Sequence, residues 1–144
     1  MHLIVMNKDR KIEYLRYEKR AKSILSARIN VFDAESSHGS LMIQPIYRDP
    51  YIFYEKCIRE YVSQEHDVLE LGSGTGLHTY VLTQTGARIV ASDISGHSLV
   101  VLAQQIGGEI NTLVADMEAL PCKASSFDVV AAAGSLSYGD PGMV

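Results

Sequence analysis

A short apolar run enters a glycine-rich turn at residues 68–76, which have the sequence VLELGSGTG. The apolar residues predict a buried strand that ends at Leu71, and glycine at alternate positions predicts a tight turn. Residues 77–85 then have the pattern of a helix, which Gly86 ends. The start of such a helix presents free N–H groups and partial positive charge. This strand, turn and helix therefore predict a site for the polar part of a nucleotide-like ligand.

The alternation of strands and helices continues towards the end of the chain. Further strands are predicted at 88–93, 111–116 and 127–133, and a helix at 98–106. Strands that alternate with helices indicate a parallel α/β sheet, and their apolar composition predicts helices on both faces.

The first half of the chain has a different pattern. Helices are predicted at 8–28 and 51–63, and turn-forming residues predict a loop at 33–50. A length of 144 residues suits one structural domain. We expect an N-terminal helical cap on the substrate side at 1–66 and a ligand-binding core at 67–144.

Composition excludes several classes of protein. With 47% hydrophobic and 21% charged residues, the chain is globular rather than disordered. No apolar run approaches the roughly 18 residues of a membrane helix, and residues 1–8 lack the layout of a secretory signal. Neither the two cysteines, Cys57 and Cys122, nor any two histidines have the spacing of metal ligands, so we expect no metal. Two cysteines so far apart do not form a disulfide framework, so we expect free thiols and a cytoplasmic location.

The N-terminal segment is basic, because residues 1–28 carry eight basic and three acidic side chains. A solvated helix face is the favoured interpretation, since Glu13 and Glu18 interleave with the bases. An anionic partner is the alternative. Only Tyr14 and Tyr17 could stack on bases, so nucleic acid is not an expected partner.

Two acids at strand ends strengthen the prediction of a ligand site. Asp93 ends the second predicted strand, where its carboxylate could accept from both hydroxyls of a ribose. Asp116 ends the third, where it could accept from an exocyclic amine, and Met117 offers an apolar surface to a base. A helix cap or loop residue would explain either acid alone, but both acids with the glycine turn favour a nucleotide-like ligand.

The turn departs from two common nucleotide motifs. A dinucleotide site has the pattern GxGxxG, but the glycines here are Gly72, Gly74 and Gly76, and Leu77 follows. No Lys-Ser/Thr pair follows the turn, which argues against a nucleoside triphosphate. Glu70 would repel a pyrophosphate and suits a cationic amino group instead.

These segments together resemble the class I S-adenosylmethionine-dependent methyltransferases. Residues 68–76 are similar to motif I of that family, and ADMEALP at 115–121 with SFDVV at 126–130 is similar to its small-molecule, type 11-like branch. The resemblance implies a Rossmann-like, mainly parallel sheet and S-adenosylmethionine as cofactor. It implies that the glycine turn lines the methionine moiety with Glu70 near its amino group, Asp93 holds the ribose, and Asp116 and Met117 contact adenine. The implied cofactor-binding residues are Glu70, Gly72, Ser73, Gly74, Thr75, Gly76, Asp93, Ile94, Asp116, Met117 and Tyr51.

The implied activity is transfer of a methyl group to a small-molecule acceptor by in-line displacement. Tyr47, Tyr51 and Tyr54 are candidates for the N-terminal cap, with core or surface packing as the alternative. Ser135 and Tyr138, after the fourth strand, are the candidate catalytic residues, but loop packing explains them equally well. A non-catalytic S-adenosylmethionine-binding domain and a dinucleotide-binding oxidoreductase domain remain alternatives.

The resemblance also indicates what the chain lacks. Family members continue with a fifth strand, a further helix and an antiparallel hairpin, and these C-terminal strands are missing here. We therefore expect an N-terminal fragment of a longer protein. A bare strand edge favours pairing with a second copy, so a homodimer through the exposed sheet edge is expected.

Overall fold

The α/β order predicted from the sequence is present in the computed structural model, which describes residues 8–28, 30, 45–107, 110–140 and 142. The elements are helices α1 (Lys8–Ala27), α2 (Pro45–Tyr61), α3 (Leu77–Thr83) and α4 (Gly96–Ile106), strands β1 (Asp67–Leu71), β2 (Arg88–Asp93), β3 (Asn111–Val114) and β4 (Val129–Ala131), and a 3₁₀ helix (Leu136–Tyr138).

The described strands form one parallel sheet in the order β3-β2-β1-β4. Val68 of β1 lies opposite Ile89 of β2 on one side and Val129 of β4 on the other. Because all four strands run the same way, their carboxyl ends lie along one edge of the sheet. The predicted Rossmann-like arrangement is confirmed.

The core lies between the central strands and the helices. Ile58 of α2, Val62 just after it, and Val81 and Leu82 of α3 pack with Val68, Ile89 and Ala131 of the sheet. Helix α4 packs Leu99 and Leu102 against Ala91 of β2. Helix α1 docks on α4, where Ala21 and Ile24 contact Val101. The N-terminal helices therefore sit against the core that carries the glycine turn.

The sheet is less completely covered by helices than predicted. Residues Val68 to Leu71 of β1 are buried, as expected for a central strand. In contrast, Val114 of β3 and Val130 of β4 are each 59% exposed. Both lie on edge strands of the described sheet, so the apolar composition of β3 and β4 does not reflect burial on both faces.

The start of α2 differs from the prediction. Residues 45–50 are helical rather than loop, and residues 33–44 lie outside the described part of the chain. Pro45 occupies the first helical position, where a missing N–H does no harm. Pro50 lies inside the helix, where it has no N–H to donate to an internal hydrogen bond, and Ile58 further along the same helix packs into the core. Strands β3 and β4 also end earlier than predicted, at Val114 and Ala131.

Candidate active site

A cavity of about 240 Å³ opens at the carboxyl edge of the sheet. Its floor comes from the glycine turn and from the chain just after β2 and β3. Its roof comes from α1, α2 and the 3₁₀ helix. Of the predicted cofactor-binding residues, its walls include Tyr51, Gly72, Ser73, Gly74, Thr75, Asp93, Ile94, Asp116 and Met117.

The glycine turn is shaped by close packing on one side and open space on the other. Gly72 has φ +66°, and a Cβ there would collide with the side chain of Ser135. Gly76 has φ +97°, and a Cβ there would lie 3.0 Å from Cγ of Leu102. At Gly74 a Cβ would meet nothing within 4 Å. The turn therefore presents bare backbone to the cavity while its flanks are fixed.

Asp93 ties the end of β2 to this turn. Its Oδ2 accepts from the N–H of Gly74 at 2.9 Å, and its Oδ1 accepts from the N–H of Ser95 at 2.8 Å. Burial raises the pKa of Asp93 in spite of these hydrogen bonds, and the nearby charge of Glu18 raises it further. Further donors from a ligand would stabilise its ionised form.

Asp116 also lines the cavity and is engaged by α1. The guanidinium of Arg10 donates to its Oδ1, which also accepts from the N–H of Glu118 at 3.0 Å. A second nitrogen of Arg10 contacts Oε2 of Glu118 at 2.6 Å. The carboxylate that the resemblance assigns to adenine is therefore held by an arginine.

Ser73 leaves an unused polar group at the site. Its N–H donates to the carbonyl of Ser92 at 2.9 Å, which fixes the turn on β2. Its Oγ is buried and has no hydrogen-bond partner within the described residues. Because buried hydroxyls normally find a partner, this one indicates a place for a ligand atom.

Glu70 and Gly76 lie behind the turn rather than in the described cavity walls. Side chains alternate along a strand, so Glu70 lies on the same face of β1 as Val68, the face that packs against α2 and α3. It is 2% exposed, and its Oε2 accepts from Oγ1 of Thr79 at 2.6 Å. Burial raises its pKa to about 7; the hydrogen bond from Thr79 opposes that shift and the charge of Asp93 adds to it.

The two candidate catalytic residues have different surroundings. Ser135 lines the cavity, but its Oγ donates to the carbonyl of Leu71 at 2.6 Å and is buried. Its hydroxyl therefore fastens the segment after β4 to the end of β1. Tyr138 also lines the cavity and is exposed, and its hydroxyl lies 3.3 Å from that of Tyr17 on α1.

The three tyrosines predicted for the cap differ in their surroundings. Tyr51 lines the cavity and stacks on His78 with ring centroids 4.8 Å apart. Tyr54 packs against the core cluster of α2 and α3 instead. The side chain of Tyr47 lies outside the described part of the structure.

Helix α1 contributes to the site, which the sequence did not lead us to predict. Arg10, Tyr14 and Tyr17 all line the cavity. The solvated-face interpretation is therefore incomplete, because Arg10 is partly buried against acids of the core. The basic charge of residues 1–28 and the acids at the strand ends are the features of the sequence that could have indicated this contact.

Comparison with known families identifies this arrangement. The sequence matches the family model described as a methyltransferase domain over residues 68–143. The chain belongs to the methyltransferase domain family. The predicted class, the S-adenosylmethionine-dependent methyltransferases, is thereby confirmed. A comparison with curated proteins gives no match.

Solved methyltransferases share the fold. Magnesium protoporphyrin IX methyltransferase from Synechocystis, with bound S-adenosylmethionine, has a TM-score of 0.65 at 17% identity, over 96% of this chain and 67% of its own. N-methyltransferase NodS from Bradyrhizobium japonicum, in complex with S-adenosyl-L-homocysteine, has a TM-score of 0.55 at 14% identity, and the match covers 79% of this chain and 54% of NodS. Phosphoethanolamine N-methyltransferase 1 from Haemonchus contortus, in complex with phosphoethanolamine and S-adenosylhomocysteine, has a TM-score of 0.53 at 18% identity. That match covers 90% of this chain and 27% of the other protein. This chain thus spans about half of the second protein and a quarter of the third.

Replacing Ser135 with alanine should destabilise this methyltransferase domain. The change removes the buried hydrogen bond to the Leu71 carbonyl, which should lower the free energy of unfolding by about 1–2 kcal/mol. Ser137→Ala is the matched control, because that exposed hydroxyl donates to Gly134 at 3.2 Å and its loss should cost less than about 0.5 kcal/mol. Urea unfolding measures both, and equal losses would contradict the fastening role of Ser135.

Glu70 should make stability depend on pH. Its folded pKa of about 7 lies above the ordinary 4.5, so its contribution to stability is complete below pH 4.5 and declines as the pH rises to about 7. Relative to Glu70→Gln, the domain should lose roughly 2–3 kcal/mol of unfolding free energy between pH 5 and 8. Urea unfolding across this range measures the loss.

Glu60→Gln on the exposed face of α2 is the control for this titration, and its pH profile should parallel that of the parent chain. If Glu70→Gln also followed the parent profile, the buried carboxyl would not be the source of the pH dependence.

Proposed function

We propose that the cavity binds S-adenosylmethionine and that the protein transfers its methyl group to a small-molecule acceptor. One observation carries this proposal: the glycine turn after β1, Asp93 at the end of β2 and Asp116 beyond β3 converge on a single cavity. Three successive strand ends thus offer groups of the kind that an amino acid moiety, a ribose and an amino-purine require. The ligands named for the solved relatives support this choice.

The residues present fit this cofactor. The bare backbone at Gly74 allows close approach, and the unpartnered Oγ of Ser73 can hydrogen-bond the methionine part. Asp93 retains acceptor capacity for the ribose hydroxyls, since an ionised carboxylate can accept about four hydrogen bonds. Met117 offers an apolar surface beside Asp116 for the base. Thr75, Ile94 and Tyr51 complete the proposed contacts, with Glu70 and Gly76 supporting the turn from behind.

S-adenosylmethionine supplies a methyl group already activated by a sulfonium. The protein therefore has to hold the acceptor close and in line with that methyl group and to keep water out. Tyr17, Tyr51 and Tyr138 provide aromatic walls for the acceptor side of the cavity. Of the two candidate catalytic residues, Tyr138 is the better choice for orienting an acceptor, because the hydroxyl of Ser135 is engaged with Leu71.

We assign residues 1–66 to the substrate-side cap and 67–144 to the cofactor-binding core. Helix α1 supplies Arg10, Tyr14 and Tyr17 to the cavity and α2 supplies Tyr51, which supports this division. The part of the relatives that this chain does not span would contribute the remaining contacts to the acceptor.

We also propose a cytoplasmic location and a homodimer. Cys57 and Cys122 are free thiols, as expected in a reducing compartment. Among the described helices, none is both long and apolar enough to cross a bilayer.

Strand β4 has no strand partner on its outer side within the described sheet, and Val130 on it is largely exposed, which favours pairing with a second copy.

Titration calorimetry with S-adenosylhomocysteine tests the cofactor site. The parent chain should bind with micromolar affinity and should give no heat with NAD. Asp93→Asn should weaken binding by at least about tenfold, because hydrogen bonds to a charged group contribute roughly 1.5–3 kcal/mol each.

Asp128→Asn is the matched control for this measurement. Its carboxylate also accepts from a backbone N–H, that of Asp67 at 2.8 Å, but it lies outside the described walls of the cavity. Its affinity should equal that of the parent chain. Absence of binding by the folded parent chain, or NAD binding in its place, would contradict the proposed cofactor.

Association through the β4 edge can be measured by sedimentation at increasing protein concentration. Val130→Lys should weaken the dimer by about tenfold or more, because a lysine on an edge strand opposes strand pairing. Val100→Lys, on the exposed face of α4, should leave association unchanged. A parent chain that stays monomeric at every concentration would refute the dimer.

A further inference from the structure

Ser95 makes hydrogen bonds in two directions, one towards the site and one towards α1. Its backbone N–H donates to Oδ1 of Asp93 at 2.8 Å, and its Oγ donates to Oε1 of Glu18 at 2.8 Å. Ser95 and Glu18 are both buried, so water does not compete for these contacts. Glu18 lies on α1, 77 residues before Ser95. One buried serine therefore joins the carboxylate proposed for the ribose to the N-terminal cap.

The orientation of the Ser95 hydroxyl depends on Glu18. Ser95 is also the N-cap of α4, where its Oγ accepts from the N–H of Ser98 at 3.1 Å and from Oγ of Ser98 at 3.0 Å. A hydroxyl has one proton to donate and an ionised carboxylate can only accept, so the cap leaves the proton of Ser95 to Glu18. Loss of Glu18 would remove the acceptor of this buried proton and force the hydroxyl to rearrange around Ser98.

Glu18 acts from outside the cavity. The described walls include Asp93 and Ser98 but neither Glu18 nor Ser95. An effect of Glu18 on a bound ligand therefore has to pass through Ser95 or arise from the charge of the carboxylate.

We infer that Glu18 is a positioning residue, which holds Ser95 and thereby fixes Asp93 for the ribose of the cofactor. The inference rests on the proposed function, because it takes Asp93 as the acceptor for the ribose hydroxyls. The hydrogen bond from Ser95 falls on Oδ1 of Asp93, and the hydrogen bond from Gly74 falls on Oδ2. Together they set the plane of the carboxylate and so the direction of its remaining lone pairs. Glu18 thus links the docking of α1 to the shape of the site.

The second oxygen of Glu18 lies near two basic side chains. Nδ1 of His97 lies 2.7 Å from Oε2 of Glu18, and Nζ of Lys22 lies 3.7 Å from the same atom. Burial would raise the pKa of Glu18, but the hydrogen bond from Ser95 and the charges of His97 and Lys22 bring that pKa below its ordinary value. Glu18 is therefore ionised at neutral pH, as an acceptor for Ser95 should be.

The charge of Glu18 acts against Asp93, whereas its hydrogen bond acts in favour. Burial raises the pKa of Asp93, the hydrogen bond from Ser95 opposes that rise, and the charge of Glu18 adds to it. Glu18→Gln separates the two effects, because an amide oxygen can still accept from Ser95 but carries no charge. Glu18→Ala removes both.

Titration calorimetry with S-adenosylhomocysteine tests the positioning role. Glu18→Ala should raise the dissociation constant by about tenfold, because Asp93 is no longer held in place. Glu18→Gln should stay within about threefold of the parent chain, since it keeps the acceptor for Ser95. Ile24→Ala is the control for docking of α1, because it removes packing on Val101 and none of the hydrogen bonds of Ser95. It should change the dissociation constant by less than about twofold.

A double-mutant cycle shows whether Glu18 acts through Asp93. In an Asp93→Asn background, Glu18→Ala should change the dissociation constant by less than about twofold, because the carboxylate that Glu18 positions is already lost. If Glu18→Ala does not fold, as judged by circular dichroism, Ser95→Ala takes its place in the cycle with the same expected loss. That variant removes the same hydrogen bond and leaves Glu18 with His97.

The outcomes separate this inference from the proposed function. A loss of affinity in Glu18→Ala that Glu18→Gln restores, and that disappears in the Asp93→Asn background, would support the positioning role. Unchanged binding by Glu18→Ala, or an equal loss in Ile24→Ala or in Glu18→Gln, would overturn that role and leave the cofactor site standing. An undiminished loss in the Asp93→Asn background would do the same. Failure of the folded parent chain to bind would overturn the proposed function and the positioning role together.

Discussion

Parallel pairing of β1 with β2 on one side and β4 on the other is the constraint on which the site depends. It brings the carboxyl ends of these strands to one edge, where Leu71, Asp93 and Ala131 lie close together. The glycine turn then has a fixed neighbour on each flank: Asp93 accepts from Gly74, and Ser135 packs against Gly72. The shape of the turn is therefore set by the sheet rather than by the turn alone.

Convergence of strand ends also gathers three carboxyl groups in poorly solvated positions, and the fold stabilises each in a different way. Glu70 is buried beside Thr79, with a pKa raised to about 7. Asp93 is held by backbone N–H groups, and Asp116 by the guanidinium of Arg10. Desolvation of a carboxylate is unfavourable unless donors replace water. A bound ligand would stabilise the ionised form of Asp93 by adding donors.

The core of the fold was predictable because its signals are local. The alternation of short apolar strands with helices is enough to predict the parallel sheet, and the glycine spacing is enough to predict the tight turn that lines the cavity. The position of Glu70 could also have been deduced, because strand alternation puts it on the face of Val68. The placement of α1 could not have been deduced from the sequence, because Arg10 and Tyr17 contact partners more than a hundred residues away. Helical packing similarly overrode the local preference of Pro50 to end a helix.

The separation of these partners along the chain determines the order in which the domain can assemble. Arg88 and Asp67, which join β1 to β2, are 21 residues apart, whereas Arg10 and Asp116 are separated by 106 and Tyr17 and Tyr138 by 121. Closure of a longer loop costs more chain entropy, and it also requires the distant partner to have been synthesised. Helix α1 is the first described element to leave the ribosome, but its partners over the cavity follow much later in the chain. A newly made chain can therefore pair β1 with β2 before α1 reaches its contacts over the cavity.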